Sequence, residues 1–151
     1  MKLKHFKVEK FDKDKIDHYV LVKKIERGSK VDYISPHLMN YLEKAQTKNY
    51  VLKDKEGNSL GLFGEKEDKR DNTLELWCIL GEENRGKGLG SRFLGEITSY
   101  LITEKDISDL KLVIQKENKA SRKIAFENGY TVCRPIDETK DEFRYFGKKG
   151  K

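Results

Sequence analysis

The feature that most constrains this chain is a seven-residue run, LELWCIL at residues 74–80, that passes without a break into the glycine-rich string GEENRGKGLGS at 81–91. A run this continuously apolar does not suit an edge strand with one wet face. It predicts a central strand covered on both faces. Beyond the string, Leu89, Phe93, Leu94, Ile97 and Leu101 recur at helical spacing, with Gly95 tolerated inside at a cost of about 1 kcal/mol. LKLVIQ at 110–115 supplies the next buried strand. A junction of strand, glycine turn and helix presents free backbone N–H groups and a partial positive charge to an anion. A tight turn that needs glycine for its own dihedrals accounts for two of the glycines. It does not account for Gly86, Gly88 and Gly90 alternating among Arg85, Lys87 and Arg92.

The flanking segments predict one domain over residues 1–151, of the α+β (α/β) class. LKHFKVEKF places Leu3, Phe6 and Val8 in a strand, and DKDKIDHYVLVKKIERG carries Ile16, Tyr19, Val20 and Val22 at mainly helical spacing. Ser35 before Pro36 signals a second helix start, with Leu38, Tyr41, Leu42 and Ala45 on its apolar face. From Asn49 the period changes to two. YVLKD, a turn at Glu56-Gly57-Asn58 and SLGLFGE read as an antiparallel hairpin, and the charge run EKEDKRD at 65–71 reads as its solvated exit loop. KASRKIAFEN forms a short helix closed by Gly129, and YTVC and FRYFG give the last two strands.

Composition narrows the function classes. With 151 residues, 38% charged and 36% hydrophobic, the chain has a modest core inside a hydrophilic surface, and its seven Tyr, seven Phe and one Trp argue against disorder. There is no run of about 18 apolar residues, and the first residues lack the apolar core of a secretion signal, so no membrane association and a cytoplasmic location are expected. The net charge of +6 is spread among opposite charges, which favours a solvated surface over a nucleic-acid face. Cys78 and Cys133 sit in strand-like runs and read as buried free thiols. No cluster of Cys or His with metal-ligand spacing is present, and His5, His18 and His37 read as surface residues.

Two phosphate-binding templates are close and fail. Gly81 to Lys87 follows G-x-x-x-x-G-K, but Gly88 stands where a hydroxyl would bind magnesium, and the dinucleotide spacing G-x-G-x-x-G is missing. Arg85-Gly86-Lys87-Gly88-Leu89-Gly90 instead resembles the Arg/Gln-x-x-Gly-x-Gly/Ala signature of the GNAT superfamily of acyl-CoA-dependent N-acetyltransferases. The hairpin ending in Leu60-Gly61, the strand LELWCIL and the segment ENKASRKIAFENGY resemble the family in register, so the likeness spans nearly the whole chain. It implies the GNAT fold: a mixed, mostly antiparallel central sheet of about six or seven strands with four helices, strands four and five splayed apart. It also implies acetyl-CoA (coenzyme A) as co-substrate, with no metal. Backbone groups of Cys78, Ile79 and Leu80 would bond the pantetheine arm, and N–H groups from Arg85 through Gly86, Lys87, Gly88, Leu89, Gly90 and Ser91 would hold the pyrophosphate. Asn118 and Ser121 match family positions beside the arm and the thioester. Arg122 and Lys123 are near enough in sequence to meet the outer phosphates, although a solvated helix face explains them equally.

The chemistry of acyl transfer names further candidates. A lysine amine in water holds its proton with a pKa near 10.4, so a base is required. Glu75 on the central strand suits that role, directly or through a water, or it satisfies a neighbour or faces solvent. Many GNAT enzymes place a tyrosine acid where this chain has Ala125. Ser121 could donate to the leaving thiolate instead, as its similarity to the ribosomal-protein N-terminal acetyltransferase branch suggests, or serve as a helix cap or cofactor contact. Tyr130 and Tyr145 are further stand-ins. Cys78 as a nucleophile lacks an activating neighbour. The resemblance implies direct transfer, through a tetrahedral intermediate, to an amine-bearing small molecule, a peptide N-terminus or a lysine. The segment GSKVDYISPHLMNY, with Asp32, Tyr33 and Tyr41, is expected to line the acceptor side, in a monomer or homodimer. The alternative is a GNAT-like module that binds coenzyme A without turnover.

Overall fold

The computed structural model describes residues 1–28, 38–44 and 47–147. Asp32, Tyr33, Ser35, Pro36, His37 and Ala45, each singled out above, lie outside the described residues. The chain order is β1 (Phe6–Lys10), α1 (Ile16–Gly28), α2 (Leu38–Lys44), β2 (Lys48–Asp54), β3 (Ser59–Asp68), β4 (Thr73–Leu80), α3 (Leu89–Thr103), β5 (Leu110–Gln115), α4 (Lys119–Glu127), β6 (Tyr130–Pro135) and β7 (Lys140–Tyr145). These form a seven-stranded sheet in the order β1-β2-β3-β4-β5-β7-β6. Every neighbouring pair is antiparallel except β4 and β5, the two strands joined through α3.

Alternation along β4 splits its side chains between two cores. Leu74, Leu76 and Leu80 pack with Phe93, Ile97 and Leu101 of α3 and Ala125 of α4. Trp77 and Ile79 pack on the opposite face with Leu21, Val22 and Ile25 of α1 and Leu38 and Leu42 of α2. Phe93 anchors the start of α3 edge-on against Phe6 (5.6 Å between centroids) and Phe63 (5.2 Å). Each such pair adds about 0.5–1.5 kcal/mol beyond its buried area. The glycine string therefore leaves a helix that is fixed to β1 and β3.

Three expectations need correction. Helix α1 exists, but Ile16, Tyr19 and Val20 face solvent, and the buried stripe is His18, Leu21, Val22 and Ile25. Its contact face is rotated because β1 and the loop at Asp12 accept His18, a polar residue that an apolar count discards. His18 is fully buried: its Nδ1 accepts the Asp12 N–H (3.0 Å), its Nε2 donates to Glu9 Oε1 (2.6 Å) and its ring stacks on Phe11. The run at 65–71 is not wholly a loop. Glu65 to Asp68 complete β3, in register with Leu76 to Thr73 of β4. Cys78 and Cys133 are free thiols as expected, but both are exposed rather than buried.

Candidate active site

Strands β4 and β5 are paired only at Leu74 with Leu110 and at Glu75 with Lys111. Above that point they diverge, and Cys78, Ile79 and Leu80 lose the cover that their apolar sequence predicts. The fork has a reason in the chain: β4 feeds the glycine string and α3, while β5 turns to pair with β7. Leu74 donates its N–H toward β5 and Gly81 donates toward Leu60 of β3. By alternation, the main-chain groups of Cys78 and Leu80 face the open fork and those of Ile79 face β3. Ile79, expected among the arm-binding residues, is therefore committed to its sheet neighbour Leu62. The Leu80 carbonyl already accepts the Arg85 Nε–H (3.2 Å).

At the top of the fork the chain makes a short 3-10 turn, Glu82–Asn84, held by Asn84 Nδ2 donating to the Leu60 carbonyl (3.1 Å). Gly86 (φ 74°) and Gly88 (φ 78°) then adopt left-handed conformations, and a Cβ on either would meet nothing within 4 Å. The Arg85 amide is bonded to the Glu82 carbonyl at 3.3 Å, so it does not join the free donors expected from Arg85 onward. From Gly86 through Lys87, Gly88, Leu89, Gly90 and Ser91, no amide has a partner among the described residues; the first helical bond runs from Arg92 to Gly88. Six successive donors at a helix N-terminus, above open space, fit a diphosphate. Lys87 and Arg92 also flank a groove of about 400 Å³ shared with Lys55, Leu60 and Asn84.

The far wall is α4. Asn118 caps it, accepting the Ser121 amide at 3.1 Å, so the capping role belongs to Asn118. Ser121 is half-buried, and its hydroxyl makes no hydrogen bond among the described residues. Lys123 is exposed, whereas Arg122 is engaged with Asp141 (2.9 Å) and lies over the Phe143 ring. Those contacts tie Arg122 to β7. Close packing of α4 on α3, with Ile124 against Gly90 and Asn128 against Gly95 and bonded to Ser91 Oγ (3.1 Å), sets the start of α3 against the C-terminal half of α4.

Glu75 stands at the base of the fork, half-buried and without a hydrogen bond or ion pair among the described residues. Burial raises its carboxyl above the ordinary range, while Lys111 and Lys66 pull the other way. Trp77, two residues on and on the same face, lies over Gly64, where a Cβ would overlap the indole. Tyr130 is not available as an acid. It is fully buried, its hydroxyl is paired with Thr98 Oγ1 (2.7 Å), and burial holds its proton far above the usual range. Tyr145 packs against Tyr130, and Ala125 is enclosed in the core. Solvent reaches Cys78, yet protein crowds its thiol from most sides and this desolvation pushes it up to about 12. Such a thiol remains protonated and unreactive.

Sequence reasoning missed the assembly of Glu9, Asp17 and His18, three potential ligand groups in one place. Lys15 and Lys53 neutralise its carboxylates, and the His18 Nε2 proton is given to Glu9. It also missed Lys111, a lysine buried within LKLVIQ; a charge at an inward strand position was the available signal.

A GNAT acetyltransferase domain model matches residues 8–131. The chain belongs to the GNAT acetyltransferase family. A comparison with curated proteins finds no match. Solved GNAT-fold structures similar to the chain include a chimera of spermidine N-acetyltransferase SpeG from Vibrio cholerae and hSSAT, at 14% identity and TM-score 0.69, covering 95% of this chain and 96% of that one. RimL, a ribosomal protein α-N-acetyltransferase solved with coenzyme A, is similar at 15% identity and TM-score 0.68, covering 93% and 92%. The splayed sheet with four described helices is thus the GNAT fold, and an acyltransferase activity follows from the family. No described helix is long and apolar enough to cross a membrane.

Proposed function

We propose that residues 1–151 act as one GNAT domain that moves an acetyl group from acetyl-CoA to a primary amine by direct attack. The observation that carries this reading is the open fork of β4 and β5 leading to six unpartnered amides at Gly86–Ser91. Those amides would hold the pyrophosphate, and the fork-facing backbone of Cys78 and Leu80 would align the arm. When bound, acetyl-CoA supplies the activated acyl group. This chain's residues supply the proton handling. Glu75, desolvated and unpaired, takes the proton of the amine, and its raised pKa brings it nearer to the group it must deprotonate. The Ser121 hydroxyl, on the helix turn that Asn118 caps, keeps its proton and donates a hydrogen bond to the departing thiolate. The proteins named for spermidine and ribosomal-protein acetylation both modify amines, which agrees with a small amine, a peptide N-terminus or a lysine as acceptor.

The test is incubation with acetyl-CoA and a panel of polyamines, peptides with free N-termini and lysine peptides, reading thiol release and acetylated product. Turnover on at least one amine is expected. Absence of coenzyme A binding at millimolar concentration refutes the reading.

A further inference from the structure

The sheet is two half-sheets, β1–β4 and β5–β7–β6, joined by two residue pairs. Directly below the fork an ion network crosses this seam. Lys111 Nζ of β5 lies 2.8 Å from Asp68 Oδ2 of β3, 3.3 Å from Asp71 Oδ2 and 3.8 Å from Glu142 Oε1 of β7. Arg144 returns across the seam, 2.8 Å from Asp71 Oδ2 and 2.9 Å from Glu142 Oε2. The Lys111 side chain is 5% exposed. Burying a lysine in an apolar strand is a poor way to gain stability, because an apolar side chain of similar volume serves as well without desolvating a charge. The network therefore calls for another reason.

Register provides one. Lys66, Glu75, Lys111 and Arg144 form one row across β3, β4, β5 and β7, with side chains on one face of the sheet. Lys66 is exposed and free to swing, whereas Lys111 is fixed by its carboxylates. The charged groups acting on Glu75 are Lys66 and Asp68 from β3, Lys111 from β5 and Glu142 from β7. Glu75 alone among these acids makes no ion pair.

We propose that Lys111 is a positioning residue for acetyl transfer: clamped by Asp68 and Asp71 at the last zipped pair of β4 and β5, it fixes the base of the fork and presents a set positive charge to the Glu75 carboxylate. This rests on the reading of Glu75 as the base. Lys111 opposes the desolvation of Glu75, so the carboxylate remains ionised at working pH in a site dry enough to make it a stronger base. Asp68 and Asp71 keep the ammonium on the seam rather than in a closed pair with Glu75, which leaves Glu75 free to receive a proton.

The experiment compares kcat/KM against pH for the full chain, Lys111→Met, Lys111→Arg and Glu75→Gln, with coenzyme A affinity and melting temperature measured on each. In Lys111→Met the acid limb moves to higher pH, so activity falls about tenfold below the limb and recovers at alkaline pH. Lys111→Arg restores the wild-type limb. A uniform loss at every pH, or an unmoved limb, overturns the proposal and leaves Lys111 a structural ion. A wild-type profile in Glu75→Gln overturns the reading beneath it. A lost limb in Glu75→Gln with an unmoved limb in Lys111→Met overturns this inference alone. If Lys111→Met strands its carboxylates and fails to fold, the double variant with Asp71→Asn removes a stranded charge, leaves Asp68 paired with Arg70 and acting on Glu75 as before, and carries the same measurement.

Discussion

Replacing Gly88 by alanine separates the loop's conformation from its ligand role. Gly88 sits at φ 78°, ψ 3°, and an added Cβ meets nothing within 4 Å, so no clash accompanies the change. The left-handed conformation costs an L-residue about 1–2 kcal/mol. Reduced freedom of the unfolded chain offsets about 0.4–1 kcal/mol of that. The net loss of about 1 kcal/mol lowers Tm by about 2–4 °C in a domain of this size. The effect on affinity is larger. Relaxing the strain tilts the Gly88 and Leu89 amides, and the methyl group occupies the open space above them. A hydrogen bond to a charged group is worth about 1.5–3 kcal/mol, so the Kd for coenzyme A rises about tenfold to a hundredfold. Calorimetric titration and thermal melting measure the two terms. Gly57→Ala is the control: φ is 92°, a Cβ again meets nothing, and the residue lies in the β2–β3 turn, outside the glycine string. A Gly88→Ala protein that binds coenzyme A within about twofold of wild type, or a Gly57→Ala protein that loses as much affinity, refutes the reasoning.

Glu75→Gln lowers kcat by about 10²–10⁴ without altering the Kd for coenzyme A, and because burial raises its pKa the wild-type rate falls, with decreasing pH, at higher pH than an ordinary carboxylate would set; steady-state kinetics across pH test both. Tyr130→Phe leaves Thr98 without its buried partner and costs about 1–2 kcal/mol in a denaturant melt, while kcat is unchanged. Glu9, held down from 4.5 to about 2 by Lys15 first and His18 next, has a depressed folded pKa. Its contribution is complete above 4.5 and is lost as pH falls toward about 2, so Glu9→Gln flattens the Tm decline across that window.

The central unit was legible because its signals are local. An unbroken apolar run, positive-φ glycines and a helical period at Leu89–Leu101 each act over a few residues, and β4, the turn, α3 and β5 appear where those signals put them. The α4 cap was legible in part: the Asn118-to-Ser121 spacing is a capping geometry, and it is the asparagine that accepts the bond. Periodicity failed on α1 because it weighs hydrophobicity alone. His18 satisfies both ring nitrogens inside the fold and can be buried, and with it the helix presents Leu21, Val22 and Ile25 instead of Ile16 and Val20.

By itself the chain determined a glycine-turned strand-helix junction with donors to spare, since backbone dihedrals and helix-end amides depend on residues adjacent in sequence. Only the tertiary structure decided which amides are left free, where β4 and β5 part, and that Lys111, Asp68, Asp71 and Glu142 meet beside Glu75. Those groups are separated by tens of residues, and their energies depend on distance and desolvation, which sequence spacing does not contain.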